Sequence, residues 1–199
     1  MRDAVGQITT RDAILDATDR LLARYGYKKM TIDDLAAEVG IGKGSVYLHF
    51  ASKQEIALSH IDRIIDRLKL RLEAIAARKI SAEERLRLML LERVMFRFDS
   101  VQHYTQSLNE LLAGLRTKLL ERRKKHFDDE AGIFAAVIEE GKRTGIFGKN
   151  NALETAHTLL YATNSMLPYS LSAQELGERA ELEKRVKGIA GLLVNGLAK

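Results

Sequence analysis

Cysteine is absent from the 199 residues, which excludes disulfides, zinc fingers and thiol catalysis and leaves a reducing compartment allowed. Proline occurs once, at Pro168, and with an aliphatic-rich composition this points to a helical protein, long enough for one compact core with a small head attached. The first residues, MRDAVGQITTRD, contain no apolar targeting region. The longest uncharged run, residues 155–174, includes His157, Asn164, Pro168 and several hydroxyls, so it reads as a buried helix end and not as a membrane span. No membrane partner is expected, and a cytoplasmic location is. The five histidines, His49, His60, His103, His126 and His157, lack metal-ligand spacing, and no nucleophile has a partner nearby in sequence, so neither a metal, a cofactor nor catalysis is expected.

The net charge of +5 agrees with a nucleic-acid partner without locating it. Residues 1–50 contain seven Lys or Arg and seven Asp or Glu, so any positive surface there must come from arrangement, with the acids turned elsewhere.

Residues 31–53, TIDDLAAEVGIGKGSVYLHFASK, carry the functional signal. Thr31 is placed to cap a helix, with Asp34 as its capping-box partner and Met30 and Leu35 at the hydrophobic-staple positions. That helix should run from Ile32 to Val39 and close at Gly40, which reaches the left-handed conformation cheaply. Ile41 then plugs the turn, and a second helix comes next from about residue 43 to 49, too short to stand without neighbours. Val46 and Phe50 should face inward, turning Lys43 with Tyr47, and Ser45 with His49, outward. Lys43 suits a phosphate, the hydroxyls of Ser45 and Tyr47 suit phosphate or base edges, and Gly44 lets the backbone approach a duplex. Ser52 and Glu55 form a second capping box beside Lys53, which points amides and a cation toward the same ligand. The run 40–45 imitates a phosphate-binding loop, but Ala37 stands at its first glycine and a helix precedes it where a strand is needed.

These residues, with Ala13-Ile14-Leu15, Tyr25-Gly26-Tyr27, Ala36 and the pair His49-Phe50, resemble the TetR/AcrR (tetracycline-repressor-like) family of bacterial transcriptional regulators over about residues 10–57. The resemblance implies an all-α protein: a three-helix helix-turn-helix head, joined by a long helix to a helical body that binds an effector and dimerises. It implies that Thr31, Lys43, Gly44, Ser45, Tyr47, His49 and Lys53 meet DNA. Two positions depart from the family pattern. Gly42 stands where a Ser cap is frequent, and Leu48 where a second aromatic is common, leaving Leu48 to touch a thymine methyl or nothing.

Around this motif the expected division is 1–53 for the head and 54–199 for the body. Thr9 or Thr10 caps a first helix with Ile14, Ala17, Leu21 and Tyr25 on its inner face and Gly26 as its stop. A fourth helix, 53 to about 77, enters the body. Ser81 with Glu84 starts a fifth to about 98, with one segment near 104–115 and another near 116–144 after it. The charges Arg122 to Lys125 and Asp128 to Glu130 read as a solvated face. The last two helices, about 152–167 and 178–198, carry Leu159 and the stripe Leu182, Val186, Ile189 and Leu193. An intramolecular core is the plain reading of that stripe, and the resemblance favours a homodimer interface. Candidate effector contacts are Met89, Arg93, Phe96, Tyr104, Phe134, His157, Tyr161 and Asn164. Arg93 and Arg97, four apart on an apolar helix, are read either as an anion holder or as two solvated arginines.

The motif and the resemblance together imply a homodimeric transcriptional regulator, read as a repressor with activation left open as the other sign, that leaves a palindromic double-stranded operator when a small molecule of unknown identity binds. An all-helical ligand carrier or enzyme is the alternative, and a non-specific architectural DNA binder a third reading.

Overall fold

A computed structural model describes residues 9–101, 105–167 and 177–198. Eight α-helices account for nearly all of them: α1 Thr10–Lys29, α2 Ile32–Val39, α3 Lys43–His49, α4 Lys53–Ala76, α5 Ala82–Val101, α6 Thr105–Arg143, α7 Ala152–Thr163 and α8 Arg179–Asn195, with a 3-10 turn Asn164–Met166 after α7. The chain forms two compact units. The first comprises residues up to Arg63 together with Gln106–Arg116; the second comprises Ile64–Thr105 and Thr117–Lys199. The boundary therefore falls inside α4, later than the division expected at residue 53.

In the first unit α1 starts at its Thr9 cap, whose hydroxyl oxygen accepts the Asp12 N–H at 3.1 Å. Gly26, with φ +78°, leaves the helical conformation within α1 and resets the helical phase of the residues after it. Tyr27 is consequently the buried aromatic, and Tyr25, expected on the inner face, is exposed beneath the Arg24 guanidinium. Ile14, Leu15, Leu21 and Leu22 of α1 are buried with Leu35, Val46, Phe50 and Ile56, an apolar core that holds helices too short to persist alone.

In the second unit α5 packs on α8 and α7, around Leu68, Leu72, Leu86, Leu90, Phe134, Ile138 and Leu160. α6 is one continuous helix with no break at residue 116, where two segments were expected; 116–125 is a run of Arg, Lys, Leu, Glu and Thr without proline or glycine, so nothing there stops a helix. Gly141 is required by contact: a Cβ on it would lie 2.2 Å from the Phe147 ring. Phe147 also pairs with Ala198 in an isolated antiparallel bridge, and the Gly148 N–H donates to Leu197 O at 3.2 Å. No helix among the described residues is long and apolar enough to cross a membrane.

Candidate nucleic-acid interface

The α2 N-terminus forms the expected capping box. Thr31 Oγ1 accepts the Asp34 N–H at 3.1 Å, and Asp34 Oδ2 accepts the Thr31 N–H at 2.9 Å and its hydroxyl at 2.7 Å. Those bonds, the hydroxyl's first, hold the Asp34 carboxyl below its ordinary pKa. Gly40 closes α2 at φ +76°, its N–H donating to Ala37 O at 3.2 Å while Ile41 N donates to Ala36 O at 3.0 Å. A Cβ at Gly40 would meet empty space, so the backbone and not crowding demands glycine.

α3 then lies on the head through Val46 and Phe50, both buried, with the Arg11 guanidinium 5.0 Å from the Phe50 ring centre. Gly42 caps α3 without a side-chain bond, as expected where a serine is missing. Lys43, Gly44, Tyr47, Leu48 and His49 are exposed, Ser45 is half-buried, and Val46 is the fully buried position of this short helix. Tyr47 is 49% and Leu48 84% exposed. The arrangement offers a cation, two hydroxyls, an imidazole and an apolar group on a helix that fits a major groove. Thr31 lies at the start of α2, with its own hydroxyl and N–H already engaged in the capping box.

Two relationships were not legible in the sequence. Lys43 Nζ donates to Asp33 Oδ2 at 2.8 Å, and that bond, then the Asp33 charge, raises the Lys43 pKa. One acid of the balanced head therefore stands on the outward side. Lys53, expected as a phosphate contact, has its Nζ on the carbonyl oxygens of Tyr27 at 2.9 Å, Met30 at 3.0 Å and Lys28 at 3.3 Å. The frame is also tied by Arg20–Glu38 at 2.7 Å and Arg63–Asp16 at 2.8 Å, which engage two more of the head's acids with cations.

The second unit separates the effector candidates. Met89 and Phe134 are core side chains, Phe96 is half-buried with Arg71 over its ring at 4.9 Å, and Tyr104 lies outside the described residues. His157 stacks on Phe127 at 5.5 Å with its Nε2 3.3 Å from Asp128 Oδ1, and Tyr161 tilts against the same Phe127 ring at 4.8 Å while remaining mostly exposed. Arg93 and Asn164 do come together. Arg93 is fully buried, donating from Nε to Glu130 at 2.9 Å, from Nη1 to Thr163 Oγ1 at 2.8 Å and from Nη2 to Asn164 Oδ1 at 2.9 Å. Arg97 donates to the other Glu130 oxygen and to Arg93 O. The solvated-arginine reading of Arg93 and Arg97, and the solvated reading of Glu130, are thus corrected: desolvating either sign is costly unless it is paired, and these groups pair with one another. Burial alone would push the Glu130 carboxyl up, but the Arg97 and Arg93 guanidiniums outweigh it and hold it below the usual range. The arginine pair one turn apart on an apolar helix was the available sequence signal for an anionic partner, here supplied by Glu130.

Of the expected dimer residues, Leu159, Leu182 and Val186 are buried inside the unit, and Ile189 and Leu193 pack partly against its core. The stripe itself is intramolecular. On its exposed side α8 carries Gly188 and Leu192, the latter 77% exposed, beside the exposed Lys184, Arg185 and Lys187.

Residues 14–59 match the model of the bacterial regulatory proteins of the tetR family. The chain is 25% identical over 153 residues to the fatty acid metabolism regulator protein of Bacillus subtilis, spanning 75% of this chain and 77% of that one. It is 26% identical over 164 residues to the HTH-type transcriptional repressor KstR2 of Rhodococcus jostii, spanning 81% and 79%. Its fold superposes on the crystal structure of a TetR/AcrR-family regulator from Thermobifida fusca with a TM-score of 0.71 at 25% identity, covering 95% of this chain and 98% of that one.

Proposed function

Because this chain belongs to the tetR family and is a DNA-binding transcriptional regulator, we propose that it acts in the cytoplasm as a homodimeric repressor, released from a palindromic operator when a small molecule binds its helical body. The observation that carries this reading is α3 itself, a helix seated on the head through Val46 that exposes Lys43, Tyr47 and His49, with Ser45 half-buried beside them. Lys43, Ser45, Tyr47 and His49 are the contacting set, Gly44 sets the closeness of approach, and Thr31 and Lys53 hold the flanking helix ends in place. The name of the Rhodococcus relative supports repression as the sign, and the name of the Bacillus relative supports a metabolite as the signal.

Pairing through α7 and α8 uses the outer face of α8, where Leu192 is exposed and Gly188 and Gly191 leave room for a close neighbour. A dimer places two recognition helices about 34–36 Å apart, one turn of DNA. The coupling runs through α4, a continuous helix that contributes residues to both compact units. Among the effector candidates, those around Phe127, His157 and Tyr161 keep exposed surface, whereas Met89, Arg93 and Phe134 support the core.

Selection of bound duplexes from a random-sequence pool tests the reading. It should enrich two inverted half-sites centred one helical turn apart; enrichment without any common sequence would overturn it. A metabolite found to raise the melting temperature should bind about 5- to 150-fold more weakly in the presence of saturating operator, since coupling is reciprocal.

A further inference from the structure

We propose that Leu48 is a specificity-determining residue that reads the C5-methyl group of a thymine in the major groove, a reading that rests on the operator binding of the proposed function. On a helix of 3.6 residues per turn, Leu48 lies about 200° round from Val46 and equally far from Phe50. Those two side chains are buried, so Leu48 marks the crest of α3, the line farthest from the core. Its 84% exposure makes it the most exposed large hydrophobic side chain among the described residues.

Gly44 stands four residues before Leu48 on the same crest. A glycine inside a helix is a poor helix former, and its usual internal reasons are a positive φ or a close neighbour. Gly44 has neither: its φ is not among the positive ones, and a Cβ there would meet nothing within 4 Å. The bare position leaves this part of α3 open to close approach by an external surface. A helical side chain leans back over the turn that precedes it, so the Leu48 isobutyl group covers the place that Gly44 leaves open. When α3 enters a groove, this is the side chain that goes deepest.

What it meets there is fixed by the chemistry of the base edges. The major-groove edges of guanine, cytosine and adenine present hydrogen-bond donors and acceptors, and the thymine methyl is the apolar group. A leucine with no polar atom in its side chain leaves donors and acceptors unsatisfied when pressed on the other edges, whereas against a methyl it buries apolar surface on both sides. Tyr47 and His49 flank it with polar groups for the neighbouring positions.

The test uses the full-length protein and the duplex enriched from a random pool, with each thymine replaced in turn by deoxyuridine, which removes only the methyl. For the unaltered protein, one replacement per half-site should weaken binding by about fourfold, the equivalent of one buried methyl-sized group. Leu48→Ala should bind the thymine duplex more weakly and lose the response to that replacement, with an unchanged melting temperature and salt slope; Leu48→Met should retain part of the response. Indifference of the unaltered protein to every replacement, or an undiminished response in Leu48→Ala, would overturn the assignment while leaving DNA binding intact. Failure to enrich any sequence would instead remove the operator reading and this assignment with it.

Discussion

Lys53 Nζ donates to the carbonyl oxygen of Tyr27 at 2.9 Å and stands 4.6 Å from the centre of that residue's ring. With the Met30 and Lys28 oxygens as further acceptors, the cation closes the end of α1 and fixes the start of α4 to it. A residue type that suggests phosphate contact thus has an internal duty. Lys53→Ala should lower the stability of the protein by about 1.5–3 kcal/mol, the range for hydrogen bonds made by a charged group, and should weaken operator binding as the head loosens. Chemical denaturation measures the first effect, and an unchanged midpoint would contradict the clamp.

Asp33 holds Lys43 at 2.8 Å on the exposed side of the head. Both groups are solvent-exposed, so the pair adds little to stability. Asp33→Asn should release Lys43 and remove a charge that repels phosphate, strengthening binding to all duplexes by about two- to fivefold at low salt. Lys43→Ala should do the reverse and reduce the salt slope by roughly one unit. Fluorescence anisotropy at several salt concentrations resolves both.

Glu130 joins Arg93 and Arg97 in the interior of the second unit. Its folded pKa lies below the ordinary 4.5, so below about that pH the unfolded chain binds a proton that the folded chain does not. The carboxylate's contribution to stability is present above the unfolded value and is lost as pH falls through the folded one. Glu130→Gln should flatten that acid limb. Glu130→Ala should cost about 3–5 kcal/mol at neutral pH by stranding two buried cations, and replacing Arg93 by Met in the same chain should restore part of the loss.

Leu182 is buried in α8, and Leu192, about 80° round the helix from it, is 77% exposed. Leu182→Ala should destabilise the protein by about 2–5 kcal/mol through a core cavity. Leu192→Glu should leave the fold intact and yield monomers, as read by sedimentation, since a carboxylate buried unpaired at a helix seam is costly. A dimer that survives this change would move the interface elsewhere.

The head was legible because its signals are local. Thr31, Asp34, Gly40, Val46 and Phe50 each act through the backbone or through helical periodicity within a few residues, and the structure places all five as expected. Gly26 was read correctly as the point where α1 leaves its helical course, yet periodicity carried up to it chose Tyr25 over Tyr27, because a positive φ breaks the phase that periodicity assumes. In the body, Glu130 looked solvated beside Asp128 and Asp129, and only tertiary packing brings it to Arg93 and Arg97, residues far away in sequence. The α8 stripe was visible as apolar spacing, but spacing does not state whether a core or a second copy covers it; burial assigns Leu182 and Val186 to the core.

Operator recognition by α3 is the central claim, and the most direct measurement is the affinity of the full-length protein for the selected duplex and for a scrambled duplex of equal length, measured across a salt series. The protein should bind the selected duplex more tightly by about 10³-fold or more at physiological salt, with Tyr47→Ala removing much of that ratio. Equal affinity for the two duplexes at every salt concentration would contradict that claim.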